Sequence, residues 1–172
     1  MQQQVITTEQ GDVAVSRSES RGPTILMIHG NSSCKEVFRN QLNGDIGKQF
    51  RCIALDLPGH GRSSNSRTPD STYTMPGYAD VALEVMRKLE CDNYVVLGWS
   101  LGGHIGIEML NKSSTVERLM ITGTPPVGHG EEAVGAGFLP SDHVALAAQR
   151  KHTAAESEAF ARATCGINAP YE

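Results

Sequence analysis

The chain has 172 residues, 39% of them hydrophobic, which is enough for one domain with a continuous core. Fifteen basic against nineteen acidic residues give a net charge of −4, and no Lys/Arg cluster is long enough to track a phosphate backbone, which argues against nucleic acid as a partner. The N-terminal MQQQVITTEQGD has neither the basic start nor the apolar core of a signal peptide, and no apolar run reaches bilayer-spanning length, so a cytoplasmic protein without a membrane segment is predicted.

In chain order, short strands are predicted near Gln4–Thr8 and Val13–Arg17, with Gly11-Asp12 as the hairpin turn signal between them. Three apolar runs follow, TILMI (Thr24 to Ile28), CIALDL (Cys52 to Leu57) and YVVLG (Tyr94 to Gly98), each suited to a parallel strand buried on both faces. Between the last two, Tyr78, Val81, Ala82, Val85 and Leu89 recur at helical spacing, with Thr74 as cap and Pro76 in the first turn. A helix after Ser100 and a strand at Arg118 to Thr122 continue the alternation. The pattern is α/β, with a right-handed, doubly wound sheet. Cys34, Cys52, Cys91 and Cys165 form no CxxC pair, so free thiols are expected rather than a zinc knuckle or a disulfide framework.

The strand YVVLG runs directly into G-x-S-x-G, filled by Gly98, Ser100 and Gly102. At a strand-to-helix junction this is the nucleophile elbow, which holds a serine in a strained turn so that its hydroxyl stands clear of the sheet. Glycines two residues to either side remove the side chains that would clash. Gly102, Gly103 and Gly106 each cost about 1 kcal/mol of helix stability relative to alanine, a cost that close approach of helix to sheet would offset. The simpler reading of Ser100 is a helix cap after a buried strand.

His29-Gly30-Asn31 directly follows the strand TILMI, where a loop can aim backbone N–H groups at a substrate oxygen. An elbow of this kind draws one oxyanion donor from the residue after the nucleophile, here Leu101, and one from such a loop, assigned to Asn31. His29 reads as a structural histidine holding the loop rather than as a proton-transfer group. His29, Gly30 and Trp99 are the candidates for the wall of the substrate site. The third segment, DLPGHGRS (Asp56 to Ser63), has turn chemistry, and its polar residues order the loop around the site.

MIHGNSS, DLPGHGRS and GWSLGG, in this order and spacing, resemble the α/β-hydrolase superfamily. The stretches HGNSS, GYAD, GWSLGGHIGIEM, LMITGTPPV and ARATCG resemble, more narrowly, the serine-dependent N-acyl homoserine lactonases of that fold, quorum-quenching enzymes that open the lactone ring of a bacterial signal. The resemblance implies Ser100 as nucleophile, Asn31 and Leu101 as oxyanion donors, and no cofactor or metal. It implies an N-terminal part of the core over residues 1–124 and a helical cap over 125–172, starting after Thr124-Pro125-Pro126, with cap helices in Ser141 to Thr164. Phe160 is the cap's substrate-facing candidate, and it stands where the lactonases carry a tyrosine.

The family's order is nucleophile, acid, histidine, the last two on loops after later strands. His104 lies four residues along the helix from Ser100, while His129, His143 and His152 fall in or before the cap, so none occupies the histidine position. The expectation is a fold incomplete at its C-terminal end, a truncated product or fragment of about two-thirds of a hydrolase, with little activity on its own because an unassisted serine is a weak nucleophile. Ser100 argues against the aspartate-nucleophile dehalogenases and epoxide hydrolases, and no H-x-H-x-D-H cluster of a metal-dependent lactonase is present. The function expected of the complete protein is lactone or ester hydrolysis on a small acyl substrate. The alternatives are a carboxylesterase, a carbon–carbon bond hydrolase, or a non-catalytic binding protein on the same scaffold.

Overall fold

The computed structural model describes residues 1–125, 130–137, 146, 149 and 151–164. Six strands, β1 (Gln2–Thr7), β2 (Asp12–Arg17), β3 (Thr24–Ile28), β4 (Arg51–Leu55), β5 (Tyr94–Trp99) and β6 (Val116–Thr122), form one sheet in the order β1-β2-β4-β3-β5-β6. β3 lies between β4 and β5 and is parallel to both, and β6 runs parallel to β5. The β1–β2 hairpin joins antiparallel at the other side, β2 on β4. The expected α/β sheet is therefore present, with strand ends shifted by one or two residues. The hairpin turn itself is centred on Glu9-Gln10 rather than Gly11-Asp12, because Thr8 and Gly11 exchange backbone bonds of 2.8 and 3.3 Å and Gly11 closes the turn at φ +147°.

Helices cover both faces. On one lie α4 (Met75–Lys88) and α5 (Leu101–Lys112); on the other lie a 3-10 turn at Lys35–Phe38, α1 (Arg39–Asn43) and α2 (Asp45–Gln49). A further short turn, α3 (Pro69–Thr72), precedes α4. Thr74 caps α4, its hydroxyl accepting the Gly77 N–H at 3.0 Å, and Tyr78, Val81, Ala82 and Val85 turn inward as their spacing requires. They meet Leu26, Ile28, Ile53, Leu55 and Val96 in the larger core, while Met27, Cys52 and Ala54 pack on Phe38 and Leu42 across the sheet. β3 and β4 are buried on both faces over most of their length, as expected. β5 instead alternates between buried and half-buried, with Leu97 and Trp99 packing only partly buried against the smaller core.

The chain divides into two compact units, Met1–Thr124 and Pro125–Glu172. The second holds α6 (Glu131–Ala136) and α7 (Ala154–Thr164). Thr153 and Glu156 form a reciprocal capping box at the start of α7, with bonds of 2.8 and 3.2 Å. Of the segment read as cap helices from Ser141 onward, α7 is the helix described; residues 141–145, 147, 148 and 150 lie outside the described residues. Cys52 and Cys91 are buried free thiols and Cys34 is half-buried; Cys165 lies outside the described residues. No described helix is long and apolar enough to cross a membrane.

Two buried polar contacts tie the loop after β3 to the loop after β4. The Leu57 N–H donates to His29 Nε2 at 3.0 Å while His29 Nδ1 lies 2.7 Å from the Gly30 carbonyl, which fixes the Nδ1–H tautomer and a neutral ring. Burial pushes the His29 pKa down to about 4, against a raising effect from the Gly30 carbonyl. Lys35 then donates to Asp56 twice, from its backbone N–H at 2.7 Å and from Nζ at 2.8 Å, and the Arg62 N–H adds a third bond at 2.9 Å. Burial alone would raise the Asp56 pKa; the bonds from Arg62 and Lys35 outweigh it and hold the carboxyl below its ordinary value.

Two predictions follow from this packing. Met109 is fully buried and Ile107, two residues away on α5, is 47% exposed; Met109→Ala should cost about 2–5 kcal/mol in urea denaturation and Ile107→Ala no more than about 0.5 kcal/mol. For His29 the folded pKa of about 4 lies below the ordinary 6.5, so between those values the unfolded chain binds a proton that the folded chain refuses. Its contribution is full above pH 6.5 and is lost as pH falls toward 4, on the order of 3 kcal/mol in all. Denaturation midpoints measured across that window should fall steeply for the parent chain, and His29→Gln should remove that part of the slope.

Candidate active site

The order β4-β3-β5 means that the chain leaves β3 toward β4 on one side and returns to β5 on the other. Loops at the carboxyl ends of β3 and β5 therefore diverge and leave a crevice between them, the place where open α/β sheets bind ligands. Ile28 is in register with Gly98 at this end. The loop His29-Gly30-Asn31 and the elbow Gly98-Trp99-Ser100 consequently face each other across that crevice.

Ser100 adopts φ +52°, ψ −116°, a conformation that non-glycine residues rarely hold and that costs about 1–3 kcal/mol. Its backbone is fastened on both sides. The Ser100 N–H donates to the Thr122 carbonyl of β6 at 2.9 Å, and the Ser100 carbonyl accepts from the Gly103 N–H at 2.9 Å and from Thr124 Oγ1 at 3.1 Å. Although Ser100 occupies the cap position of α5, its side chain makes no capping bond. Oγ has no hydrogen-bond partner among the described residues. That geometry removes the helix-cap reading, because a capping serine uses its oxygen on the second or third amide of the helix.

Close approach explains the glycines. A side chain at Gly98 would collide with the Gly102 carbonyl, and one at Gly102 would collide with the Ile28 carbonyl of β3. Gly103 and Gly106 pack in the same way on Thr124 and on Leu119. Gly30 lies against the elbow from the other side, where a Cβ would stand 3.1 Å from Ser100 Cβ and 3.2 Å from the Trp99 ring. The half-buried Trp99 indole also borders Gly123, so it fills the space between the loops after β3 and β6.

Leu101 is the first residue of α5, where backbone N–H groups have no partner within the helix. Asn31 follows Gly30 in an exposed turn. Neither amide donates a hydrogen bond among the described residues. Positive helix-dipole charge from the twelve-residue α5 reinforces the first of them. His29 is fully buried and occupied by Leu57 and Gly30, which fits the loop-holding role read for it and gives it no free nitrogen to offer a substrate.

Around the β4 loop the structure assembles groups that sequence reasoning passed over. The His60 ring stands 5.1 Å from His29 and 6.3 Å from Tyr78, and Tyr73 lies 6.0 Å from Tyr78. Burial, with a smaller effect from Tyr73, pushes the Tyr78 pKa up to about 12, so this phenol stays protonated. The buried Lys35–Asp56 pair was likewise missed. Its one signal was an aspartate ending an apolar strand and followed by a glycine-rich turn; at Gly61, φ +53°, a side chain would strike the Asp56 carboxylate.

Of the remaining described histidines, His152 lies within electrostatic reach of the Glu156 carboxylate at the start of α7. His104 is half-buried on α5, His152 is exposed just before α7, and His129 and His143 lie outside the described residues. Phe160 is half-buried on α7 in the second unit.

Known proteins resemble this chain over the same elements. It is similar to the N-acyl homoserine lactonase AidH, solved as a mutant complexed with N-hexanoyl homoserine lactone, with 48% identity and a TM-score of 0.93 over 99% of this chain and 62% of that one. An esterase from Exiguobacterium antarcticum matches at 28% identity and TM-score 0.62, over 70% of this chain and 44% of the other. A pimeloyl-[acyl-carrier protein] methyl ester esterase of Nitrosospira multiformis is 29% identical over 110 residues, 63% of this chain and 41% of that protein. The chain thus spans under two-thirds of the length of each of these relatives. The sequence model of the alpha/beta hydrolase fold family matches residues 23–158, and the chain belongs to that family.

Proposed function

We propose that this chain carries the nucleophile and oxyanion hole of a serine hydrolase that opens N-acyl homoserine lactones. The observation that carries the reading is Ser100, strained at φ +52° with its hydroxyl uncommitted at the crevice between β3 and β5. The substrate class rests on the 48% identity to the lactonase AidH. By its likeness to AidH, the segment 125–172 is read as the start of a cap, with Phe160 as that segment's candidate for contact with the acyl chain.

In this mechanism Ser100 Oγ attacks the lactone carbonyl while a general base takes its proton. The carbonyl oxygen becomes an oxyanion held by the Asn31 and Leu101 N–H groups, which strengthen their bonds as charge develops. Collapse expels the ring oxygen, which takes the proton and stays tethered as the homoserine hydroxyl. Water then cleaves the Ser100 ester to release N-acyl homoserine. His29 serves by position: neutral and held by two bonds, it keeps Gly30 and Asn31 in place without entering the proton transfers. The base and its carboxylate are assigned to the part of the AidH fold that this chain does not cover.

A carboxylesterase is the second reading, favoured by the match to the pimeloyl-[acyl-carrier protein] methyl ester esterase. The discriminating experiment joins this chain to the part of AidH that it does not cover. Turnover of N-hexanoyl homoserine lactone should exceed that of a linear p-nitrophenyl ester, and the reverse preference would favour the esterase. Ser100→Ala should abolish both activities with unchanged circular dichroism. Asn31→Pro, which deletes the loop amide, should lower kcat by about a hundredfold or more; unchanged turnover would move the donor elsewhere. The 172-residue chain alone should react slowly with a fluorophosphonate. Fast labelling that disappears on substitution of one of His104, His129, His143 or His152 would instead place the base within the chain.

A further inference from the structure

At the opposite end of the strands from Ser100 lies a second cavity, of about 510 Å³. It opens beside the last residue of β2, the first residues of β3 and β4, and the connection between β2 and β3. A five-residue strand, about 16 Å long, separates the two ends of the sheet. Three arginines line this cavity: Arg17 ending β2, Arg21 in the connection, and Arg51 starting β4.

None of the three has a carboxylate partner among the described residues. Arg17 spends one N–H on the Gln2 side-chain oxygen at 2.9 Å, and Arg51 spends one on the Leu89 carbonyl at 3.2 Å. Arg21 makes no hydrogen bond among the described residues. A guanidinium carries five N–H donors, so most of the fifteen are left for water or a ligand. Glu19, the one acidic residue in the lining, is bound to the N-terminal ammonium of Met1 at 3.2 Å. The charges of Arg17 and Arg51 also converge: both act on the Cys91 thiol, lowering a pKa that burial dominates and raises. This concentration of positive charge stands on a chain whose net charge is −4. Three guanidiniums whose lining holds a single carboxylate, itself bound to the N-terminal ammonium, repel one another, and an anion of matching geometry relieves that repulsion.

We propose that Arg17, Arg21 and Arg51 form a binding site for the phosphate group of a small phosphorylated molecule, separate from the hydrolytic site. The chemistry favours phosphate because a tetrahedral dianion can accept paired N–H donors from guanidiniums on different sides at once. The cavity favours a small molecule over a polyanion, since its volume falls in the range of small-molecule pockets and the site is concave. Ser20 stands beside Arg21 in the lining, but its hydroxyl is already engaged by the Gly22 N–H at 3.1 Å. Recognition therefore falls to the arginines.

The test titrates the folded 172-residue chain at constant ionic strength, reading arginine side-chain N–H resonances by NMR and affinity by calorimetry. The probes are phenyl phosphate, inorganic phosphate, malonate and a short single-stranded oligonucleotide, each against a chloride background. Phenyl phosphate should bind one-to-one with a Kd of about 1 mM or tighter and shift the Arg17, Arg21 and Arg51 signals, with inorganic phosphate weaker and malonate weaker still. Arg21→Gln, which breaks no bond of the fold, should weaken binding by about tenfold. Arg17→Gln should act alike. Malonate binding as tightly as phenyl phosphate, tighter binding of the oligonucleotide, shifts no larger than chloride produces, or an unchanged Kd in Arg21→Gln with an unchanged melting temperature would each overturn the proposal. Neither the probes nor the variants touch Ser100, so this outcome is independent of lactonase activity.

Discussion

How closely three backbone segments can approach one another determines the position of Ser100. The end of β3, the elbow after β5 and the first turn of α5 meet with no side chain between them, because Gly98 and Gly102 stand where any Cβ would enter a neighbouring carbonyl. Only with that spacing can the Ser100 N–H still reach Thr122 while its own carbonyl turns back to Gly103 and Thr124. These three bonds hold a conformation that the residue would not keep alone. Strain, helix start and crevice are thus one constraint, and the uncommitted hydroxyl is its product.

A second constraint acts one loop away. Burying a lysine and an aspartate together costs several kcal/mol per ion in lost hydration, which the pair regains only with near-ideal geometry and with the remaining lone pairs satisfied. Asp56 meets that condition by accepting from Lys35 Nζ and from the Lys35 and Arg62 backbone N–H groups. The pair is a weak source of net stability, but removing either partner would strand a charge in the core. Together with the Leu57–His29 bond it admits one relative placement of the β3 and β4 loops. Asn31 sits on the first of these loops between two anchors, His29 two residues before it and Lys35 four after.

The sequence made the strands, α4, α5 and the elbow legible because each rests on local signals: apolar runs ended by turn residues, helical spacing, and glycines that have no other reason to sit in a helix. The short helices between Arg39 and Gln49 escaped because five-residue elements show barely more than one turn of periodicity. Burial on both faces was read correctly for β3 and β4 and too broadly for β5, since an apolar run states what a strand can bury and not how fully it is covered. The Lys35–Asp56 pair and the Tyr73, Tyr78 and His60 cluster depend on contacts between residues far apart in the chain, which spacing does not encode. The elbow at Ser100 was legible from the motif; that its oxygen makes no capping bond was visible only in the geometry.

The β6 side of the sheet carries a different physical message. Among the described residues β6 is an edge strand, and its Met120 and Ile121 are 61% and 48% exposed on opposite faces. Ile107 and Leu110 on α5 are exposed apolar side chains as well. A parallel edge with both faces apolar invites pairing with another strand, and proteins ordinarily cover or charge such an edge. The charges present, Glu117 and Arg118, sit at the start of β6 and leave Leu119 to Thr122 undefended. The same end of β6 supplies the Thr122 carbonyl that holds the Ser100 N–H. Whatever covers Met120 and Ile121 therefore bears on the elbow as well as on the sheet, since steadying β6 steadies one of the three bonds that keep Ser100 in its strained turn.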